Sequence, residues 1–198
     1  HPSVIMQRVF GVAEQAGLVL MKYFRSKLDV SYKQDEFDPV TVADKEADDL
    51  IRAQLKELFP ETMILSEEND NIPEDYSGKV WMIDPLNGTK SFLKGFDTFG
   101  VVVALVENGV PVLGCVTVPA QNKVFFAEAG RGAFQKVAGS FERIRASQIS
   151  NIHEARLITR QSGTDIRPIE NILNLLPFAE RLEGISGAKV CMIAAGEA

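Results

Sequence analysis

The stretch that says most about this 198-residue chain is Trp81-Met82-Ile83-Asp84-Pro85-Leu86-Asn87-Gly88-Thr89-Lys90-Ser91-Phe92. A hydrophobic strand leads to the carboxylate of Asp84, which offers the hard oxygen that Mg²⁺ prefers. Pro85 fixes the backbone that follows, so that the Leu86 carbonyl can act as a neutral metal ligand. Gly88 and Thr89 are expected to begin a helical turn whose free N–H groups bind phosphate. The stretch therefore predicts a metal ion and a phosphate held side by side.

This stretch resembles the signature of the inositol monophosphatase superfamily, in which Asp-Pro-Leu is followed by Asp-Gly-Thr-Lys-x-Phe; Asn87 stands where the family has aspartate. Its Leu86 and Lys90 are most similar to the branch of 3'(2'),5'-bisphosphate nucleotidases. The resemblance implies a phosphomonoesterase that is inhibited by lithium and uses two or three Mg²⁺ ions. It also implies an α+β fold, the layered αβαβα sandwich of the sugar-phosphatase type, with its second unit incomplete here.

Composition narrows the class of protein. With 45% hydrophobic and 24% charged residues, the chain is typical of globular proteins. Its net charge of −6 argues against a nucleic-acid polymer as partner. Because we find no apolar run of about 18 residues and no signal peptide, we expect a cytoplasmic protein without a membrane partner. Cys115 and Cys191 are expected to be reduced core residues, and the dispersed cysteines and histidines exclude an ordinary zinc site. His153 is interpreted as a surface residue.

Hydrophobic periodicity predicts two helices early in the chain. The first begins after the capping residue Ser3, and the second stops before Pro60. The apolar face expected for the first comprises Ile5, Val9, Val12, Ala13, Ala16 and Leu20. That of the second comprises Ala43, Ala47, Leu50, Ile51, Leu55 and Leu58.

Short strands are predicted next, and they define the first of two units. Residues 63–65 and 80–83 form strands, the latter ending at Asp84, and residues 99–106 and 110–118 form a hairpin about Asn108-Gly109. Residues 124–127 continue this antiparallel meander. Farther on we expect strands at 157–158 and 182–185, a helix over 166–176 and another beginning at 187. The predicted units are a metal- and phosphate-site domain over 1–150 and the truncated start of a substrate-side domain over 151–198.

Acidic residues outside the opening stretch are the next candidates. Asp44 lies in the first turn of the second helix, where a carboxylate is routine; the resemblance implies that it activates the attacking water together with Thr89. Glu67 and Glu68 follow a buried strand, and adjacent acids there are usually solvated. The resemblance makes Glu67 a metal ligand and Glu68 an outer-sphere base, beside the metal ligands Asp84, Leu86 and, at the weakened position, Asn87.

Substrate-binding candidates lie in the last quarter of the chain. A small-residue loop with Ser186, Gly187 and Lys189 can place a cation on a second phosphate, although it also fits a plain helix N-terminus. Thr159 and Ser162 lie where the nucleotidase branch often has a histidine-containing motif, and Ser162 replaces the histidine.

Two departures from the family pattern bear on activity. Asn87 loses a charge and a bridging mode, so the second metal should bind more weakly, and the chain ends at Ala198, before the family's Trp-Asp motif.

The leading hypothesis for the function is hydrolysis of the 3'-phosphate of 3'-phosphoadenosine 5'-phosphate. Alternatives are an inositol monophosphatase, a histidinol-phosphate phosphatase, and a catalytically silent sensor of a phosphorylated metabolite. The resemblance also implies a homodimer.

Overall fold

The computed structural model describes residues 2–26, 30–32, 39–68, 77–137, 139–160, 173, 175–184 and 186–197. Its helices are α1 (Val4–Tyr23), α2 (Val42–Leu58), α3 (Thr89–Leu93) and α4 (Ser186–Ala194), with a short 3₁₀ helix over Pro119–Gln121. The strands before the large hairpin are β1 (Val30–Tyr32), β2 (Pro39–Thr41), β3 (Met63–Ser66) and β4 (Lys79–Asn87). Those that follow are β5 (Gly100–Glu107), β6 (Val110–Val118), β7 (Lys123–Glu128), β8 (Gly132–Val137), β9 (Ser140–Ile144), β10 (Arg156–Arg160) and β11 (Glu180–Gly184).

A seven-stranded sheet runs in the order β3-β4-β5-β6-β7-β8-β9. The β3–β4 pair is parallel and the remaining pairs are antiparallel. The turn between β5 and β6 has positive φ at both Asn108 (50°) and Gly109 (78°), the combination that matches the twist of a two-residue hairpin. The predicted hairpin and meander are confirmed, and strands β8 and β9 extend them by a hairpin that the sequence did not predict.

Strand β4 continues beyond the point where we expected it to end. Asp84 still pairs with Val102, and Asn87 pairs with Gly100, with a register shift between the two. Pro85 lies in the shift and has no N–H to donate to a ladder. The strand therefore ends at Asn87 rather than at Asp84, and its irregular end presents the residues of the opening motif.

The main core lies between the sheet and helices α1 and α2. Its largest fully buried side chains include Trp81, Phe92, Phe99, Met6 and Leu20. The predicted apolar face of α1 is confirmed except at Ile5, which is 43% exposed. Met6 is buried in its place, because the true helical stripe is rotated by one residue at this first turn.

Helix α1 is the longest helix in the described residues. It is 20 residues long with a mean hydropathy of 1.3, which is long and apolar enough to cross a membrane by length and composition alone. The helix is not an uninterrupted apolar run, because Gln7, Arg8, Glu14 and Gln15 lie within it. The helix packs against α2, β5 and β6, and 39% of the apolar window is buried inside the protein.

The last part of the chain forms a parallel pair, β10 with β11, followed by α4. The strands predicted at 157–158 and 182–185 and the helix from 187 correspond to these elements. The helix predicted over 166–176 falls largely outside the described residues.

His153 is exposed, Cys115 is buried, and both cysteines are free thiols. The division at residue 150 stays a prediction.

Candidate metal and phosphate site

The N-terminus of α2 holds Asp44 in a fixed position. Thr41 caps the helix, its hydroxyl accepting from the Ala43 N–H, and Asp44 reaches back in a capping box. Asp44 Oδ2 accepts hydrogen bonds from the Thr41 N–H (2.8 Å) and hydroxyl (2.6 Å). The residue is only 1% exposed. This local cap satisfies the helix end and leaves the other oxygen, Oδ1, facing the opening motif.

Thr89 connects the two segments. Its hydroxyl lies 3.1 Å from the Leu86 carbonyl oxygen and 3.4 Å from Asp44 Oδ1, and can donate to either. Asp44 and Thr89, separated by 45 positions, are thus brought together as the resemblance implied. Their role in activating water stays a prediction.

The turn that precedes Thr89 has the backbone expected of it. Gly88 adopts φ 91° and ψ 39°, in the left-handed region, and α3 begins at the next residue. A side chain there would be strained. The Gly88 carbonyl accepts from the Ser91 and Phe92 N–H groups, while the first N–H groups of a helix have no intrahelical partner. The Gly-Thr turn therefore starts a helix as predicted.

The surroundings of Asp84 favour a bound cation. Its Oδ2 accepts from Asn87 Nδ2 at 2.8 Å, whereas Oδ1 is buried without a hydrogen-bond partner in the described part of the chain. Burial, and then the negative charge of Glu67, raise the pKa of Asp84 to about 7. Buried carboxylate oxygens without partners are costly. A bound cation would supply the missing partner, so the residues present fit a metal ion.

The remaining donors come from the turn after β3. Glu67 follows the strand and its N–H donates to the Ile83 carbonyl at 3.0 Å, which brings the two segments together. In the described segments no three His, Cys, Asp or Glu side chains lie close enough to hold one ion. The available donor set is therefore the carboxylates of Glu67 and Asp84 supplemented by neutral oxygens, those of Leu86 and Asn87.

A buried hydrogen-bond chain supports that turn. The Ser66 hydroxyl donates to Asp48 Oδ1, and it accepts from the Glu68 N–H at 3.2 Å. Ser66 and Asp48 are 3% and 8% exposed. Sequence reasoning did not assign Asp48 a role, although its spacing of four from Asp44 places both on one helical face. Glu68 is itself half-buried, and its role as a base stays a prediction.

Asn87 links the site to the substrate side. Its Oδ1 accepts from the Gly187 N–H at 3.0 Å, so one predicted substrate-binding residue reaches the metal site directly. Lys189 lies half-buried on α4, and Ser186 is the first residue of that helix. Thr159 is in β10, where its hydroxyl donates to the Leu182 carbonyl at 3.4 Å. Ser162 lies outside the described residues.

Comparisons with known proteins agree with this geometry. The model of the inositol monophosphatase family matches residues 2–198. A 3'(2'),5'-bisphosphate nucleotidase CysQ of Aggregatibacter actinomycetemcomitans is 32% identical over 196 residues, which cover 97% of this chain and 72% of the relative. A histidinol-phosphatase of Chlorobaculum parvum is 40% identical over 130 residues, covering 65% of this chain and 49% of the relative.

A solved structure gives the same result at the level of the fold. The extragenic suppressor protein SuhB of Bartonella henselae superposes with a TM-score of 0.84 at 27% identity, covering 98% of this chain and 76% of that one. The α+β sandwich expected from the sequence is confirmed. This chain spans about half the length of the histidinol-phosphatase and about three quarters of the CysQ relative.

Proposed function

Because the chain belongs to the inositol monophosphatase family, we propose that it carries the metal- and phosphate-binding part of a Mg²⁺-dependent phosphomonoesterase. Two observations support this most: Asp84 Oδ1 is buried without a hydrogen-bond partner among the described residues, and the Thr89 hydroxyl lies within reach of Asp44. A carboxylate that can bind a metal ion and a hydroxyl that can orient water are both used in metal-assisted hydrolysis of a phosphate ester.

The proposed substrate is the 3'-phosphate of 3'-phosphoadenosine 5'-phosphate. The CysQ relative aligns over nearly the whole chain, including the α4 segment, whereas the histidinol-phosphatase aligns over 65% of it. In this proposal the Lys189 ammonium and the start of α4 at Ser186 bind the second phosphate of the nucleotide, because both favour an anion. Gly187 lies beside them, with its own N–H donated to Asn87 Oδ1. Thr159 and Ser162 are assigned to the nucleotide side on the resemblance alone.

The protein's own groups have distinct tasks in the proposed reaction. Glu67, Asp84, the Leu86 carbonyl and, more weakly, Asn87 would hold Mg²⁺, which when bound polarises the attacking water and the phosphate oxygens. Thr89, supported by Asp44, accepts a hydrogen bond from that water and directs it at the phosphorus.

The water's proton passes toward the Asp44 carboxylate, with Glu68 as an outer-sphere alternative. The bond from phosphorus to the leaving oxygen breaks as the new bond forms, and the leaving oxygen takes up a proton from solvent water. The N–H groups of Gly88 and Thr89 bind the phosphate oxygens throughout.

The test is release of inorganic phosphate from 3'-phosphoadenosine 5'-phosphate. The chain and its Asn87→Asp variant are each assayed with Mg²⁺, alone and with a C-terminal extension that carries a Trp-Asp motif. Phosphate release in the extended Asn87→Asp protein, inhibited by lithium, is expected. If that protein releases no phosphate from any phosphomonoester, the proposal is wrong.

The alternative substrates are tested in the same assay. The 40% identity to a histidinol-phosphatase over 130 residues makes histidinol phosphate the first alternative substrate, and inositol monophosphate is tested beside it. A marked preference for either would replace the nucleotide. Nucleotide binding measured by calorimetry without turnover in the natural full-length protein would favour the sensor. Dimerisation, a count of two or three Mg²⁺ ions and a cytoplasmic location remain parts of the proposal, the last supported by the free thiols.

A further inference from the structure

Asn87 makes two hydrogen bonds that together bridge the metal site and the last helix. Its Nδ2 donates to Asp84 Oδ2 at 2.8 Å, and its Oδ1 accepts from the Gly187 N–H at 3.0 Å. Only the NH₂ group can donate to a carboxylate and only the oxygen can accept from an N–H, so the orientation of the amide is determined by its partners. One side chain therefore connects two segments that are 100 positions apart.

The junction is tightly packed. A Cβ atom added at Gly187 would lie 3.1 Å from Asn87 Oδ1 and 3.3 Å from the Val102 side chain. Both distances are shorter than ordinary van der Waals contact, so glycine allows α4 to approach the amide closely. The start of α4 is therefore seated on Asn87 and on strand β5.

An aspartate at position 87 would behave differently in the same place. Its carboxylate could accept from the Gly187 N–H, but it has no proton to donate to Asp84. It would also add a negative charge beside Asp84 and Glu67, whose carboxylates already lie together. Like charges that lie close together in a partly buried site repel each other. A cation, or a proton shared between residues 84 and 87, would then offset the repulsion.

We infer that Asn87 replaces one metal ion of this site with an amide: it ties Asp84 to the start of α4 without a cation. We therefore expect the start of α4 to be held at the metal site before metal binds, and the protein to bind one tightly held cation fewer than it would with aspartate at this position. The inference rests on the proposed function, because that function makes these residues a metal site. Its tests measure stability and metal binding and need no enzyme activity.

The first experiment compares melting temperatures of three proteins in a chelator: the natural chain, Asn87→Asp, and the exchanged pair Asp84→Asn/Asn87→Asp. Asn87→Asp is expected to melt roughly 5 °C lower, since it loses a hydrogen bond to a charged group. In the exchanged pair the amide is at position 84 and the carboxylate at position 87, so a hydrogen bond between the two side chains can form again. This protein is expected to recover most of the lost melting temperature. Equal melting of the natural chain and Asn87→Asp, or no recovery in the exchanged pair, would overturn the inference.

The second experiment titrates Mg²⁺ into the natural chain and into Asn87→Asp by calorimetry. One more tightly bound ion in Asn87→Asp, and a larger rise in its melting temperature with excess Mg²⁺, are expected. The same number of ions and the same rise in both proteins would contradict the inference. Absence of phosphatase activity accompanied by the expected binding and melting results would reject only the proposed function.

A third measurement needs no variant and holds even if Asn87→Asp does not fold. If the bond from the Gly187 N–H to Asn87 Oδ1 forms without metal, exchange of the Gly187 amide proton in the metal-free chain should be slowed at least about tenfold relative to an unprotected amide. Unprotected exchange of Gly187, with protection present elsewhere in α4, would show that the amide bridge does not form without metal.

Discussion

The hydroxyl of Thr89 has two acceptors within reach, the Leu86 carbonyl and Asp44 Oδ1. Replacing it with alanine removes the group that orients the attacking water, whereas serine retains it. We expect Thr89→Ala to lower kcat for phosphate release by at least about 100-fold, with about 1 kcal/mol lost from the free energy of unfolding. Thr89→Ser should keep most of the activity. A Thr89→Ala protein with undiminished kcat would remove Thr89 from the proposed mechanism.

Ser66 offers a prediction about stability rather than chemistry. Its buried hydroxyl bonds to Asp48 and to the Glu68 N–H, so Ser66→Ala removes two hydrogen bonds from groups shielded from water. The free energy of unfolding in urea should fall by about 1–3 kcal/mol. The exposed Ser147 is the matched control, and Ser147→Ala should change it by less than about 0.5 kcal/mol. Equal effects of the two substitutions would contradict the buried hydrogen-bond chain.

For single residues, the sequence predicted which residues belong to the site better than it predicted their hydrogen-bond partners. Sequence motifs predict Asp44, Asp84 and Thr89 as site residues, and the structure places Thr89 beside Asp44. The second bond of Asn87 was not predicted, because its partner Gly187 is 100 positions away and only the packing of α4 brings it near. The bond from Ser66 to Asp48 was not predicted either, because it depends on how α2 packs beside β3.

Two glycines within α1 allow a prediction about the helix itself. A Cβ added at Gly11 would meet nothing within 4 Å, while one added at Gly17 would lie 3.2 Å from the Pro119 side chain. Gly11→Ala should therefore raise the free energy of unfolding by about 1 kcal/mol, the helix-propensity gain. At Gly17 the same gain is offset by overpacking, which typically costs about 1–3 kcal/mol. Urea unfolding of the two variants should show Gly11→Ala as the more stable; the reverse order would mean that the 3₁₀ helix yields easily to α1.

Elements with strong periodicity were predicted well, and elements at the periphery were not. Helices α1 and α2 each bury a continuous stripe, and the Asn108-Gly109 turn has chemistry specific to a hairpin. Strands β8 and β9 were missed because most of their side chains are only half-buried or exposed, which gives no clean alternation. The end of β4 was misplaced because a strand can pass through a proline by shifting register, and sequence alone gives no measure of that shift.

The seven-stranded sheet consists of strands that follow one another in the chain, and helix α4 packs on it from a distant part of the sequence. Antiparallel neighbours from β4 to β9 follow chain order, which is the simplest topology to infer from turns. The return of α4 onto β5 and β6 is a long-range contact that periodicity does not encode. The layered sandwich was therefore expected from the family resemblance rather than from the pattern of apolar residues.

The two cysteines report whether these parts unfold as one unit. Burial, followed by the charges of Cys191 and Glu14, raises the pKa of Cys115 in β6 to about 12, and burial raises the pKa of Cys191 in α4 to about 11. Since the thiolate is the reactive form, both thiols should react slowly with a disulfide reagent at pH 8 and remain slow at pH 9. In urea both should become reactive in one transition that coincides with loss of helical circular dichroism.

Single-cysteine variants separate the two contributions. Cys191→Ser leaves Cys115 as the reporter of the sheet, and Cys115→Ala leaves Cys191 as the reporter of α4. Because α4 is anchored through Gly187 to Asn87 and packs on β6, each thiol should appear at the urea midpoint of its own protein's global unfolding. If Cys191 became reactive well below that midpoint while Cys115 stayed protected, α4 would be a separate unfolding unit, and its attachment to the sheet would be weaker than these contacts imply.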